Sequence, residues 1–84
     1  MPKCLLMPRY FFDVQDGALT SRDDEGSEFP NAERAHRAAV RALGELANDE
    51  LEHGPDQRLF VMKVRDEQGH PTSELVLSLE AKRI

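Results

Sequence analysis

The sequence predicts an α+β fold of order ββαββ: a four-stranded, mainly antiparallel sheet with one helix packed on one face. Three observations lead there. A single long stretch, Asn31 to Leu51 (NAERAHRAAVRALGELANDEL), repeats its apolar residues at helical spacing. Two short stretches of alternating apolar residues precede it and two follow it. Each pair is joined through a glycine-containing turn of hairpin length, Asp16-Gly17 in the first and Asp66-Glu67-Gln68-Gly69-His70-Pro71 in the second.

On a helical wheel, Ala32, Ala35, Ala39, Ala42, Leu43, Leu46 and Ala47 share one side, with Val40 and Leu51 at its border. Glu33, Arg34, Arg37, Arg41, Glu45, Asn48 and Asp49 fall opposite. Asn31, directly after Pro30, is the natural N-cap, and Gly54-Pro55 stops the helix. Alanine dominates the first half of the apolar side, so that half can lie close to whatever it covers. The charges oppose the helix dipole: Arg34, Arg37 and Arg41 come early, and Glu45, Asp49, Glu50 and Glu52 late. Pairs at four-residue spacing, Glu33–Arg37 and Arg41–Glu45, offset this by about 0.2–0.5 kcal/mol each. The arginine stripe is either an anion- or partner-binding face or a solvated one; exposed ion pairs are common and weak, which favours the solvated reading.

The first strand is expected over Pro8–Val14, with Tyr10, Phe12 and Val14 on one face. A short second strand covers Ala18–Arg22, and Asp23-Asp24-Glu25-Gly26 follows as a solvated acidic turn. The third strand, Arg58–Arg65, alternates Phe60, Met62 and Val64 with Leu59 and Val61. The fourth, Thr72–Ala81, alternates Leu75, Leu77 and Leu79 with Val76, Ser78 and Glu80. A helix of about 20 residues spans roughly 30 Å and an eight-residue strand roughly 26 Å. The helix therefore carries the chain back along the sheet, and the simplest strand order is 2-1-3-4. One helix cannot cover both faces. The open face would carry Phe11, Leu59, Val61 and Val76, an apolar surface that predicts self-association or a protein partner.

The 84 residues make one domain, expected over 7–84 with Met1 to Leu6 as a flexible N-terminal extension. A domain this small has a thin stability margin. The single cysteine, Cys4, allows no internal disulfide, and packing or oligomerisation must stabilise the fold. No apolar run approaches a membrane span, so the expectation is a cytoplasmic protein without a membrane partner. The net charge of −5 opposes binding to nucleic acid.

Phosphate loops, nucleophile elbows and paired-cysteine or paired-histidine metal motifs are missing from the sequence. No catalytic residue, metal site or cofactor is assigned, and an enzyme is not expected. His36 reads as a partly buried structural histidine. His53 and His70 sit in separate loops and make at most a weak metal site.

Residues 7–14, Met-Pro-Arg-Tyr-Phe-Phe-Asp-Val, then Asp16-Gly17, then Arg22-Asp23-Asp24-Glu25-Gly26-Ser27-Glu28-Phe29-Pro30-Asn31 and the alanine-rich helix carry a likeness. The chain resembles a family of short bacterial proteins of unknown function that open M-P-R-Y-F-F-D-V. It departs from that pattern at Phe29 and Asn31, where leucine and aspartate are usual. The resemblance implies no activity and no catalytic residues. A looser similarity is to HicB-type antitoxins, which also set an aromatic first strand and a D-G turn ahead of a capped, alanine-rich helix.

The resulting expectation is a non-enzymatic protein-interaction or regulatory module acting as a homodimer, with an unidentified protein partner as a further possibility. The alternative is a regulator that binds a small ligand, anion or metal through the His53/His70 loops or the stripe of Arg34, Arg37 and Arg41. A HicB-like antitoxin comes third.

Overall fold

The computed structural model describes residues 7–51, 57–82 and 84. In chain order the elements are β1 (Arg9–Asp16), β2 (Leu19–Ser21), β3 (Ser27–Glu28), α1 (Ala32–Leu51), β4 (Gln57–Arg65) and β5 (Pro71–Glu80). Every pairing is antiparallel, in the order β2-β1-β4-β5, and β3 also pairs with β1. The fold is the expected α+β arrangement with the expected strand order and one strand more. The extension Met1 to Leu6, Cys4, His53 and the Gly54-Pro55 stop lie outside the described residues.

The additional strand is β3, whose Ser27 and Glu28 pair with Tyr10 and Arg9. Two exposed polar residues show no periodicity, so only the pairing reveals them. The first hairpin also differs by one residue from its expected turn. Asp16 pairs with Leu19, leaving Gly17-Ala18 as the two-residue loop. Positive φ is needed at Gly17 alone (62°), which is the type II′ pattern with glycine at the first loop position.

Helix α1 begins where the cap predicts: Asn31 Oδ1 accepts the Arg34 N–H at 2.9 Å. Its buried residues, Ala35, Ala39, Leu43 and Ala47, follow one row at four-residue spacing. Ala32 departs from the wheel. The whole first turn is exposed, Ala32 included, so apolar contact starts only at Ala35. Axial position, which a wheel ignores, decides its burial.

Beneath that row lie Tyr10, Phe60, Met62 and Val64, with Phe12, Val14, Phe29, Leu75 and Leu77 packed around them. Complete burial of Phe60 and Val64 contributes about 1.5–3 kcal/mol each. The buried side chains of β4 mark the strand under the helix, while Leu75, Leu77 and Leu79 of β5 are only half-buried. Phe29 anchors the chain's entry to the helix, stacked on Phe12 with ring centres 5.8 Å apart and tilted against Tyr10 at 6.2 Å.

Candidate functional site

Strand β1 pairs with β2 at Val14 and with β3 at Tyr10, so Phe12 has no strand partner on that edge. A buried N–H without an acceptor is costly, and Asp23 supplies one. Its Oδ2 accepts the Phe12 N–H at 3.0 Å, while Oδ1 accepts the N–H groups of Gly26 at 3.0 Å and Glu25 at 3.2 Å. Asp13 answers from β1, its Oδ1 taking the Asp23 N–H at 2.9 Å. Arg65 closes the clasp. It donates to both Asp13 oxygens, at 2.8 and 3.3 Å, and to the Asp23 carbonyl at 2.8 Å, with its guanidinium 4.5 Å above the Phe11 ring.

Burial pushes the Asp13 carboxyl up, but Arg65 and the Asp23 N–H outweigh it and hold Asp13 below the usual carboxylate range. Burial also opposes ionisation of Asp23, and the N–H groups of Gly26, Phe12 and Glu25 prevail to lower it. Asp23 is therefore a half-buried structural carboxylate rather than part of a solvated turn. The nearest sequence signal is the glycine three residues after it, which an Asx-type turn with positive φ requires (Gly26, 72°).

On the sheet face away from α1, Leu59 and Val76 are 51% and 62% exposed. Val61, half-buried, pairs directly with Val76, so the three form one patch on β4 and β5. Phe11 stands apart from them. It lies under Arg65, and the cross-strand row Asp13, Lys63 and Glu74 runs between it and Val61. The four residues expected to form one open-face surface thus divide into an apolar trio and a clasped aromatic.

Arg34, Arg37 and Arg41 do come together. With Phe29, Pro30, Ala38, Ala42 and Glu45 they line an open groove of about 600 Å³ on the helix flank above β1. Arg37 pairs with Glu33 at 2.9 Å, as the spacing predicts. The expected Arg41–Glu45 pair does not form, and among the described residues Arg34 and Arg41 have no ion-pair partner. The groove is a cationic wall beside an apolar floor.

His36 is half-buried, its Nδ1 2.8 Å from Ser73 Oγ. His70 is exposed and 3.9 Å from Asp66; His53 lies outside the described residues. Among the described residues no three histidine, cysteine or carboxylate side chains converge in a way that could hold a metal ion, and no helix is long and apolar enough to cross a membrane.

These features define a small α+β domain with one covered and one open sheet face. A family model for a domain of unknown function (DUF6894) matches residues 9–78, and the chain belongs to that family, as the resemblance in its first half implies. Searches of curated proteins and of solved structures returned no match.

Proposed function

We propose that this protein acts by protein contact rather than by catalysis, and that it works as a homodimer. The observation that carries this is the apolar trio of exposed Leu59 and Val76 with half-buried Val61, on the sheet face away from the one helix among the described residues. A chain of 84 residues has a thin stability margin, and removing exposed apolar surface by association at about 25 cal/mol per Å² adds to it. Light scattering at micromolar concentration tests the reading. A particle of twice the 9.5 kDa chain mass is expected, and a monomer overturns the homodimer.

A second reading has its own observation. Arg34, Arg37 and Arg41 line one groove, two of them without an ion-pair partner among the described residues, which suits an anion-binding regulator. Under that reading inorganic phosphate raises the melting temperature of the wild type, and the triple change to glutamine removes the rise. Exposed charges contribute little to folding, so the triple variant keeps its stability to within about 0.5 kcal/mol. An unmoved wild-type melting temperature across millimolar phosphate ends this reading.

A further inference from the structure

We propose that a second copy of this chain docks along the free edge of β5, antiparallel about a two-fold axis at Val76, joining two sheets into one. The docking mode rests on the self-association proposed above and adds its geometry.

The two edges of the sheet are unlike. One consists of β2 and β3, three and two exposed residues long, separated by the Asp23 clasp. Such short, interrupted edges resist strand addition. The other is β5, ten residues long and, among the described residues, paired only with β4. A long edge offers a row of unpaired N–H and C=O groups, and its central side chains here, Leu75, Val76 and Leu77, are apolar. Leu75, Leu77 and Leu79 remain half-buried, because β5 lies at the sheet's edge and α1 centres on β4 beside it. Above them Val40 is 51% exposed, on the helix flank that His36 ties to Ser73. Apolar surface therefore borders this edge on the helix side, and Val76 borders it on the other.

Self-complementarity identifies the occupant. With the axis at Val76, positions 72 to 80 pair throughout. Val76 meets the partner's Val76, Leu75 meets the partner's Leu77, and Ser73 meets the partner's Leu79. Glu74 faces the partner's Ser78 and Glu80 the partner's Thr72, so no carboxylate opposes another. Moving the axis to Leu77 sets Glu74 opposite the partner's Glu80, a like-charge pair that destabilises a sheet. Moving it to Leu75 brings Pro71, which has no N–H, into the ladder and leaves Glu80 unpaired. One register satisfies charge, overlap and backbone together. Of the open-face trio it is Val76, the member on β5, that this contact sets against its copy.

Cysteine cross-linking tests this in the full chain carrying Cys4→Ser, which removes the single native thiol. Directly opposed antiparallel residues have Cα atoms about 4.5–5.5 Å apart, within disulfide range. The two Leu59 positions, each opposite Ser78, would lie three strand spacings apart across the sheet, about 14 Å, and four residues apart along it, about 13 Å, beyond reach. Both side chains are more than half exposed, so neither substitution threatens the fold. We expect Val76→Cys to form a disulfide dimer at least about tenfold faster than Leu59→Cys under mild oxidation, with both variants already dimeric by sedimentation before it. A dimer in which Leu59→Cys links as fast or faster overturns edge docking and leaves self-association standing, because sheets packed face to face oppose the two positions alike. A monomer by sedimentation overturns both.

Discussion

Replacing Asp23 with alanine removes the acceptor for three backbone N–H groups, those of Phe12, Glu25 and Gly26. Hydrogen bonds to a charged acceptor contribute about 1.5–3 kcal/mol each, but this site is only half-buried, and water can replace the carboxylate at Glu25 and Gly26. Loss of the Asp23 charge also relieves its repulsion of Asp13. The Phe12 N–H, held inside the sheet edge, is the bond least open to replacement. The net cost is therefore about 2–3 kcal/mol, against a total of about 4–13 kcal/mol for a chain of this length. Thermal unfolding should shift down by about 10–20 °C.

The pH dependence follows from the direction of the shift. The folded Asp23 carboxyl lies below its ordinary value, so its stabilisation is complete above about pH 4, where the unfolded carboxyl ionises, and is lost as pH falls through the lower folded value. Urea melts of wild type and Asp23→Ala should thus differ fully at pH 7 and converge toward pH 2. A difference under about 0.5 kcal/mol at pH 7, or one constant across that range, would refute the clasp.

Two further substitutions probe packing. A Cβ at Gly26 would sit 2.8 Å from Arg9 Cγ and 2.8 Å from Phe11 Cε2, at a φ of 72°. Gly26→Ala should cost about 1–3 kcal/mol in urea melts and disturb the Phe11 aromatic resonances, whereas intact stability would show the turn to be looser than described. Ala39 is fully buried in the row facing the sheet, and Ala39→Leu should overpack it by about 1–3 kcal/mol. A stabilised variant would mean that helix and sheet stand farther apart.

Helix α1 was legible because cap, propensity and apolar spacing agree at Asn31, Ala35, Ala39 and Leu43, and each is a local signal. Strand order followed from lengths alone, since a helix as long as the strands must return the chain to the far end of the sheet. The clasp was not legible, because Asp23 acts on Phe12 across eleven positions and only the gap between β2 and β3 creates the need for it. Arg65 reads as the end of a strand until register places it opposite Phe11 and diagonal to Asp13. The division of the open face has the same origin, since Asp13, Lys63 and Glu74 become a row only once three strands are aligned. Sequence spacing placed Arg34, Arg37 and Arg41 on one flank; the groove they line also needs Phe29 and Pro30, which pack beside the helix only in the folded chain.

The central claim, that this domain works joined to its own copy along β5, is tested most directly by amide hydrogen exchange resolved by residue across protein concentration. Pairing along the edge protects alternate N–H groups between Thr72 and Glu80, those that point away from β4, and their protection rises with concentration. The same N–H groups exchanging as freely at high concentration as at low would contradict it.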